Sequence, residues 1–343
     1  MLKRDSNVDD PPRAFSDSAT EPDALAALLA ETRALADRVR LSVLRVLRSD
    51  SYGVLELCAI LEVAQPALSH HLKILFEARL VAKRREGSTI FYRRAPAQGE
   101  VRRAFFSAID AAPLAPETLA RVDRVHAERD RRSIAFFAQY ATDFQARQAL
   151  IAEAGVYVPN VLELLDRTDQ RSLPAGGSDA AMTALEIGPG DGALLRRLAD
   201  RFSYVVGIDN EPAMLERCAP IAAECTNVRL LNRDFTALPS IARYRVIVAA
   251  MVIHHMASPA RVFQYAERLL SDGGLFVVVE LCRHAHTWVH EACGDLWLGF
   301  EPEELIVWAD EAGLAHAESQ FVAQRNGFQI QIHGFRKTAA AAA

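Results

Sequence analysis

The spacing of apolar and polar residues divides the chain into a helical first part and a second part in which strands and helices alternate. Four segments carry apolar residues at helical spacing, and these are residues 23–36, 41–47, 54–61 and 65–77. Basic and apolar residues at 81–85 and 90–93 then flank Glu86-Gly87-Ser88-Thr89, a pattern typical of a hairpin. A helix, a short turn, a second helix and a basic hairpin together predict a winged helix-turn-helix.

The downstream pattern predicts a helical connector followed by a sheet. Residues 100–167 are mostly helical by pattern, and residues 168–180 contain the linker-like sequence Leu-Pro-Ala-Gly-Gly-Ser-Asp. Five apolar runs then alternate with helical stretches, at residues 182–187, 204–208, 228–231, 246–252 and 275–281. This alternation predicts a doubly wound sheet of parallel strands. Two further runs, 317–322 and 327–335, predict a closing antiparallel hairpin.

These patterns predict an α/β multidomain fold with an N-terminal winged helix-turn-helix of the α+β type, a helical connector and a C-terminal Rossmann-like sheet. The predicted domains are residues 23–98 for the winged helix-turn-helix, 99–180 for the connector, dimerisation segment and linker, and 181–337 for the sheet domain. Residues 1–22 are polar and aperiodic and are predicted to be a disordered tail, and residues 338–343 are predicted to be a low-complexity tail.

Charge is distributed unevenly between these parts. Residues 38–103 contain thirteen Lys and Arg against six Asp and Glu, a local charge of +7 in a chain of net charge −5, which leaves −12 elsewhere. This asymmetry favours a nucleic-acid face on the first domain alone, the alternative being a solvated helical surface. The five cysteines form no Cys-x-x-Cys pair, and neither a membrane-spanning run nor a signal peptide is evident. We therefore expect reduced thiols and a cytoplasmic protein without a membrane partner.

The segment from Gln65 to Lys73 is predicted to be the helix that enters the major groove of DNA. Pro66 suits its first turn. The residues expected to face the core are Ala67, Leu68 and Leu72. The side chains that remain for bases or phosphates are Gln65, Ser69, His70, His71 and Lys73. On the hairpin, Arg84 and Arg85 are predicted to meet the DNA backbone or the minor groove.

The helix and hairpin sequences closely resemble the ArsR/SmtB family of bacterial repressors over about residues 25–98. The resemblance rests on Gln65-Pro66-x-x-Ser69-His70-His71-Leu72 and on Arg84-Arg85-Glu86-Gly87-x-x-x-x-Tyr92. It implies a homodimer that binds palindromic double-stranded operator DNA. Its dimer contacts would come from the outer helices, here the helix from Asp23 and the region after Glu100.

The sequence departs from this family at the thiolate metal site, which is Cys-x-Cys in the family. Cys58 keeps the first cysteine, but Ile60 replaces the second. A lone thiolate is a poor metal site, so Cys58 is predicted to be a core residue. His126, Glu128 and Asp130 could mimic the family's other site, but such spacing in a charged helix is more typical of a solvated face. No metal ligand set is predicted for the chain.

A glycine turn after the first strand of the sheet domain gives the strongest indication of a ligand. The run Glu186-Ile187-Gly188-Pro189-Gly190-Asp191-Gly192 follows an apolar strand and precedes a helix. Its third glycine comes one residue earlier than in the nicotinamide fingerprint, which points to S-adenosylmethionine (SAM). The helix start can bind the methionine carboxylate. Asp209 ends the next strand, where an acid can bond the ribose, and Asp234-Phe235 follows the third, where the pair could hold adenine.

This half of the chain resembles class I SAM-dependent methyltransferases across about residues 182–337, nearest to the small-molecule branch related to quinone and biotin-precursor methyltransferases. The resemblance implies SAM, or its product S-adenosylhomocysteine (SAH), as cofactor and a small-molecule methyl acceptor as partner. The cofactor-binding residues would be Glu186, Gly188, Gly190, Gly192, Asp209, Asn210, Met214, Asp234 and Phe235. Residues 269–274 match the family's turn before the fifth strand, and the closing hairpin matches its terminal strand pair.

Two histidine-containing segments are candidates for the methyl-transfer chemistry. His254 and His255 follow the fourth strand, where the methyl group is expected, and either could act as a base or orient the acceptor. The resembling branch often has a histidine there that only supports the pocket. His286 and His290 are further catalytic candidates, and they share one face if their segment is helical.

The segment around His286 and His290 is open to three interpretations. It could be a metal site completed by Cys293, an acceptor pocket with Trp288 and Trp297 as aromatic walls, or a plain surface helix. An acceptor pocket is favoured over the other two because aromatic walls are common in such pockets.

Two functional hypotheses follow from the two resemblances. The first is an ArsR-type transcriptional regulator whose methyltransferase domain senses SAM, SAH or a methylatable metabolite. The alternative is an active small-molecule methyltransferase that regulates its own operon. DNA methylation is disfavoured because residues 251–255 lack an Asn-Pro-Pro-aromatic motif, and arsenic methylation because only Cys282 and Cys293 could supply thiols near the sulfonium.

Overall fold

The structure is a computed structural model of the chain that describes residues 24–48, 50–169, 183–239 and 244–338. The predicted tail 1–22, the capping residue Asp23, residues 339–343 and most of the predicted linker lie outside the described residues. Within the described part, no helix is both long enough and apolar enough to cross a bilayer.

The first domain is a helix-turn-helix followed by a small wing. Its elements are α1 (Ala24–Leu35), α2 (Arg38–Val46), β1 (Tyr52–Gly53), α3 (Val54–Leu61), α4 (Gln65–Glu77), β2 (Val81–Glu86) and β3 (Thr89–Arg94). The observed α3 and α4 have the predicted bounds, and β2 and β3 form the predicted hairpin. β1 pairs with β3 and was not predicted, because two residues carry no detectable period.

The core of the first domain collects one apolar face from each helix. Leu68 and Leu72 of α4 are fully buried there, as predicted. Ala67 is exposed, so the expectation that it faces the core is wrong. Its position in the first turn of α4, next to Pro66, turns its short side chain towards solvent.

The connector consists of four helices that are shared between two hydrophobic cores. They are α5 (Gly99–Ala111), α6 (Pro116–Tyr140), α7 (Phe144–Ala149) and α8 (Ala154–Asp169). Phe106 of α5 packs into the core of the first domain, whereas Val161 and Leu164 of α8 pack into the core of the sheet domain. The connector therefore ties the two domains together through buried contacts.

The second domain is a seven-stranded, mostly parallel sheet with helices on both faces. Its strands are β4 (Thr183–Ile187), β5 (Tyr204–Asp209), β6 (Val228–Asn232), β7 (Tyr244–Ala250), β8 (Leu270–Leu281), β9 (Leu314–Ala323) and β10 (Gln329–Lys337), in the order β6-β5-β4-β7-β8-β10-β9. Its helices are α9 (Ala193–Ala199), α10 (Pro212–Glu224), α11 (Pro259–Leu269), α12 (Val289–Ala292) and α13 (Pro302–Glu311). The predicted doubly wound sheet and its closing antiparallel hairpin are confirmed.

The strand order fixes where a ligand can bind. β4 lies between β5 and β7, and the chain leaves β4 in one direction and returns to β7 on its other side. Such a switch point opens a crevice beyond the carboxyl ends of the strands. The glycine turn, Asp209 and the two histidines after β7 all lie at this end of the sheet.

Candidate functional site

The glycine turn after β4 is held in a conformation that only glycine adopts readily. Gly188, Gly190 and Gly192 have φ values of 64°, 58° and 77°, in the left-handed region. Space is also short, because a Cβ on Gly188 would lie 2.5 Å from Val252 Cγ2, and one on Gly192 would overlap the Ile221 side chain. The glycines therefore set both the backbone path and its close approach to the neighbouring elements.

Glu186, two residues before this turn, is buried and has a carboxylate oxygen without a hydrogen-bond partner. Burial, and then the nearby Asp191 carboxylate, raise the pKa of Glu186 well above its usual range. Gln148, Tyr157, Gly188 and the neighbouring turn residues line a small pocket around it. A buried, unpaired acid is costly unless a partner arrives, and the ammonium of the SAM methionine group has the chemistry to supply one.

Asp209 lies at the end of β5, where the ribose of a nucleotide cofactor is expected. Its Oδ1 accepts a hydrogen bond from the backbone N–H of Glu211 at 2.8 Å. Burial raises the pKa of Asp209 to about 6, despite the backbone N–H groups that favour the ionised form. Asn210 and Met214 line the same cleft, as the sequence predicted for a cofactor site.

The far side of the cleft carries the residues predicted to hold adenine. Asp234 and Phe235 line it after β6, and Asp234 also accepts a hydrogen bond from the Thr236 N–H at 2.8 Å. Asp130 of α6 faces this side as well. Burial, and then Asp234, raise the pKa of the Asp130 carboxyl. Asp130 is thus part of the cleft wall, not a member of a metal site with His126 and Glu128.

The cleft that these residues line holds about 750 Å³ of space, counting the part open to solvent. The residues present therefore fit a SAM-type cofactor in their polar partners and in the unpaired buried carboxylate of Glu186. The residues predicted to bind the cofactor line the cleft or the adjoining pocket. The exception is Gly192, which caps α9 behind the turn.

The connector closes one side of this cleft. Asp130, Ser133 and Phe137 of α6 and Phe144 of α7 line it together with the strand ends. A Cβ on Gly190 would lie 3.1 Å from the Phe144 ring, so the turn and the connector are in close contact. The sequence did not predict that these four residues line the cleft. The spacing of apolar residues is the same in a helix that contacts a distant loop and in a helix that covers a hydrophobic core.

An aromatic cavity adjoins the cleft beside His255. Its aromatic walls are Phe136, Phe137, Tyr140 and Phe144. The rest of its lining is formed by Arg147, Gln148, Ile151, Met251, His254, His255 and Cys293. His255 lines both the cleft and this cavity. The cavity lies at the expected position of a methyl acceptor, but its walls come from the connector and not from Trp288 and Trp297.

His254 and His255 differ in environment although they are adjacent. Burial alone would lower the pKa of His254, but the carboxylates of Glu280 and Asp295 outweigh it and raise that pKa to about 9. Its Nδ1 lies 2.7 Å from Glu280 Oε2. Burial, and then the charge on His254, lower the pKa of His255 well below its usual range. His255 Nδ1 lies 3.2 Å from the carbonyl oxygen of Gly294.

The other proposed catalytic histidines lie outside the cleft. The segment is helical only over α12, so His286 and His290 do not share a helix face. His286 packs against Phe328, and His290 Nδ1 lies 2.6 Å from the backbone oxygen of Asp295. Contrary to the catalytic prediction, this pair does not line the cleft or the aromatic cavity, and the favoured acceptor pocket between the tryptophans is not formed. Trp288 is 42% exposed near Phe328, and Trp297 is buried against Phe91 of the wing.

The recognition helix presents most of its predicted DNA-contacting residues to solvent. Gln65, Ser69, His70 and Lys73 are exposed on α4. His71 is half-buried, and its Nδ1 lies 3.5 Å from Asp37 Oδ1. His71 therefore has a structural partner within the domain, whereas the four exposed residues are available for DNA.

The two arginines of the wing have different environments. Arg85 is exposed, and its Nε donates to the Gly87 carbonyl at 3.0 Å. Arg84 is buried, pairs with Glu86 and Glu304, and donates to the Gly299 carbonyl. The expectation that Arg84 contacts DNA is therefore wrong in this arrangement, because the side chain is enclosed between the wing and the sheet domain.

Arg129 of α6 links the first domain to the sheet domain. Its guanidinium donates to both oxygens of Glu56 at 2.9 and 2.6 Å, to the Ser51 carbonyl at 2.8 Å and to the Ala257 carbonyl at 2.6 Å. Nearby, His126 contacts Asp50 at 2.7 Å and Arg261 at 3.1 Å. These contacts form a buried polar network between the helix-turn-helix, α6 and the loop after β7.

Two family models match separate parts of this chain. One, described as "Bacterial regulatory protein, arsR family", matches residues 37–83. The other, described as "Methyltransferase domain", matches residues 178–305. Both matches lie where the structure has the helix-turn-helix and the mostly parallel sheet.

Curated relatives match one region or the other. The HTH-type transcriptional repressor SmtB of Mycobacterium tuberculosis is 42% identical over 85 residues, covering 25% of this chain and 56% of the repressor. An uncharacterised methyltransferase of Mycobacterium bovis is 30% identical over 119 residues, covering 32% of this chain and 59% of that protein. A ubiquinone biosynthesis O-methyltransferase of Leptothrix cholodnii is 24% identical over 150 residues, covering 39% and 64%. The chain thus spans less than two thirds of the length of these relatives.

Among solved structures, the 1,6-didemethyltoxoflavin-N1-methyltransferase of Burkholderia thailandensis has the same fold. It aligns with a TM-score of 0.50 at 19% identity and covers 66% of this chain and 93% of its own. That structure contains SAH and 1,6-didemethyltoxoflavin.

Proposed function

Because this chain joins an ArsR-family helix-turn-helix region to a class I methyltransferase domain, we propose that it is a DNA-binding transcriptional regulator whose affinity for operator DNA depends on the ligand of the methyltransferase domain. The ligand is SAM, SAH or a methylatable metabolite in the aromatic cavity. The cofactor cleft and the recognition helix are then two sites of one allosteric system.

The path of α6 is the observation that carries this proposal. Arg129 and His126 on this helix hold Glu56, Ser51 and Asp50 of the helix-turn-helix. One residue further along, Asp130 begins the stretch of the same helix that lines the cleft, followed by Ser133 and Phe137. A ligand that changes the position of this stretch would therefore move a rigid element that also packs on the DNA-binding domain.

The loop after β7 supplies a second link between the two sites. Its residues Val252, His255 and Met256 line the cleft. The carbonyl of the next residue, Ala257, accepts a hydrogen bond from Arg129. The cleft and the buried polar network around Arg129 thus share one short loop. A ligand that contacts this loop would favour one arrangement of the two domains over another.

Within the cleft, the protein binds the cofactor through a few defined groups in this proposal. Glu186 would accept from the methionine ammonium and Asp209 from the ribose hydroxyls, and Asp234 with Phe235 would hold the adenine. When bound, SAM would supply an electrophilic methyl group. His255 would orient the acceptor in the adjoining cavity for in-line displacement.

We also propose that the regulator is a homodimer that reads a palindromic operator. Leu25, Leu28 and Leu29 of α1 are 74%, 38% and 49% exposed, and Val101 of α5 is 49% exposed. These two outer helices offer the apolar surface that a dimer would bury. Gln65, Ser69, His70, Lys73 and Arg85 would then contact each half-site.

A second candidate function is an active small-molecule methyltransferase that controls its own operon. The specific observation in its favour is the aromatic cavity against the cleft at His255, which places aromatic rings beside the expected position of the methyl group. Transfer of a radiolabelled methyl group from SAM into a pool of cellular metabolites tests this activity directly. Labelling that disappears in Asp209→Ala would support this activity. If no labelled product forms, the sensor remains the proposed function.

The test of the regulatory proposal uses the full chain and a duplex selected from genomic fragments. Fluorescence anisotropy gives the Kd for this duplex without ligand and with saturating SAM or SAH. We expect a ligand to change the Kd by about 5- to 150-fold, the usual range of allosteric coupling. By reciprocity, calorimetry should give the same factor for the effect of the duplex on ligand affinity.

Asp209→Ala is the control for this experiment. It should remove the SAH effect while leaving the basal affinity for the duplex unchanged, because Asp209 lies in a cleft that, among the described residues, is lined by the connector and the sheet domain. Equal operator affinity with and without SAM, SAH and candidate acceptors, at concentrations that saturate the cleft, would contradict the coupling.

A further inference from the structure

Two histidines and one aspartate come together at the end of the aromatic cavity. One ligand atom from each of His254, His255 and Asp295 lies within 4.8 Å of the other two. The Oδ1 atom of Asp295 is 3.9 Å from His254 Nε2 and 3.8 Å from His255 Nδ1. The three residues come from the loop after β7 and from the segment after α12, so the fold and not the sequence spacing brings them together.

Asp295 is the unusual member of this group. It is 2% exposed, and neither of its carboxylate oxygens has a hydrogen-bond partner among the described residues. An imidazolium that simply neutralised this acid would form a charge-assisted hydrogen bond of about 2.7–2.9 Å. The distances of 3.8 and 3.9 Å are too long for such bonds. A tetrahedral cation with bonds of about 2.0–2.2 Å would bring these ligand atoms to about 3.4 Å from one another. His255 Nδ1 would then exchange its contact with the Gly294 carbonyl for the cation.

The backbone holds these residues in fixed relative positions. The N–H groups of Leu296 and Trp297 donate to the carbonyl of His254 at 2.9 and 3.1 Å. Gly294 has a φ of 78° and lies so close to the Phe136 ring that no side chain would fit. Asp295 is thus fixed against His254 by two hydrogen bonds and by a glycine that packs under the connector.

His254 also has the outer partner that metal-binding histidines usually have. Its Nδ1 lies 2.7 Å from Glu280 Oε2. The other oxygen of Glu280 accepts hydrogen bonds from the Ile253 and His254 N–H groups at 2.7 and 3.2 Å. A carboxylate on Nδ1 fixes the ring and leaves Nε2 as the ligand atom towards Asp295.

We propose that His254, His255 and Asp295 bind a divalent transition-metal cation, with Zn²⁺ as the representative ion. Two imidazoles and one carboxylate are a ligand set that such cations favour, and three protein ligands leave a further position open. His255 lines both the cleft and the aromatic cavity, so this position is accessible to a polar group of a ligand there. The site has its own ligand set and does not depend on the proposed coupling to DNA.

The test measures zinc binding to the untagged full chain. The protein is treated with a chelator, loaded with Zn²⁺ and desalted, and the zinc content is measured by mass spectrometry. Competition with a chromophoric chelator then gives the Zn²⁺ affinity. We expect one zinc per chain, and a loss of affinity of at least about 10-fold in Asp295→Asn, because even outer partners of metal ligands contribute about 10- to 100-fold.

His286→Ala is the matched control, since it removes a neighbouring histidine that lies outside this group. Its zinc affinity should equal that of the wild type. Co²⁺ loading should give visible absorption in the wild type that Asp295→Asn lacks. Circular dichroism and thermal unfolding show whether each variant is folded, and His255→Asn replaces Asp295→Asn if the latter does not fold.

Wild-type protein that retains no zinc, or a folded Asp295→Asn that binds zinc as tightly as the wild type, overturns the metal site. An equal loss of zinc affinity in His286→Ala and Asp295→Asn also overturns it, because the segment around His286 and His290 would then bind the zinc. If zinc binds as expected and SAH does not, the metal site stands and the cofactor proposal fails.

Discussion

Replacing Arg129 by methionine should uncouple the DNA-binding domain from the cofactor cleft. Methionine is similar in length, so it keeps much of the packing against Tyr52, Phe91 and Trp297, whose rings lie 5.2–5.4 Å from the guanidinium carbon. It loses the four hydrogen bonds to Glu56 and to the Ser51 and Ala257 carbonyls.

The cost in unfolding free energy follows from the groups that lose Arg129 as their partner. Removing one partner of a buried ion pair typically costs about 3–5 kcal/mol, because the other charge stays buried. The Glu56 side chain is 27% exposed and can regain water, so we expect a cost near the lower end of this range. The variant also loses the contacts that join Glu56 and Ser51 to Ala257, so in this proposal the allosteric coupling, about 1–3 kcal/mol in typical cases, should fall with them.

The assay combines thermal unfolding with the ratio of duplex affinities with and without SAH. Arg132→Met is a matched control on the same helix, because its side chain is 71% exposed and pairs with Glu128. Exposed ion pairs contribute about 0–1 kcal/mol, so this variant should behave as the wild type. An Arg129→Met protein with unchanged stability and an unchanged SAH effect would refute the role assigned to this residue.

Three other predictions concern the cofactor, the glycine turn and the wing. Asp209→Asn should weaken SAH binding about 10- to 100-fold, equivalent to roughly 1–3 kcal/mol, by calorimetry. In the wild type, SAH affinity should fall as the pH drops below about 6, where the Asp209 carboxyl becomes protonated and loses acceptor capacity. Gly192→Ala should cost roughly 1–3 kcal/mol of unfolding free energy, through its positive φ and the overlap with α10. Arg85→Ala should reduce the salt dependence of DNA binding by about one phosphate contact, and Arg84→Ala should not.

Each of these predictions has its own control. The pH effect should disappear in Asp209→Asn, and a persistent effect would assign it to another group. Gly313→Ala has a comparable φ of 83° but no atom within 4 Å of the new Cβ, so its cost should be smaller than that of Gly192→Ala. Equal costs would mean that strain alone, without steric overlap, explains the glycine at 192. Equal salt dependence in the two arginine variants would mean that the wing leaves the sheet domain when DNA binds.

The local elements could be predicted from sequence because their signals are local. α3, α4, the wing hairpin and the parallel strands follow from apolar period, turn residues and a proline in a first helical turn. The cofactor residues could be predicted for a related reason. Successive parallel strands end at the same edge of the sheet, so Gly188, Asp209 and Asp234 converge once the strands are assigned.

The candidate chemistry was harder to predict, and the histidine-rich segment is the example. Three histidines within seven residues suggested a shared surface, but only Val289–Ala292 is helical, and His286 and His290 lie outside the cleft. Asp295, by contrast, has no motif around it. It lies near His254 because the loop that contains it hydrogen-bonds to the His254 carbonyl, and no apolar spacing in the sequence predicts this contact.

By itself, the sequence determined the helix-turn-helix, the doubly wound parallel sheet and a set of residues that follow its strands. The tertiary structure alone decided which groups lie between the domains. It buried Arg84 against Glu304, placed α6 and Phe137 over the cleft, and joined Arg129 to Ala257. The physical reason is that these contacts join segments from about fifty to more than two hundred residues apart. Their energy comes from the mutual fit of two folded surfaces, and such a fit leaves no periodic pattern in either segment.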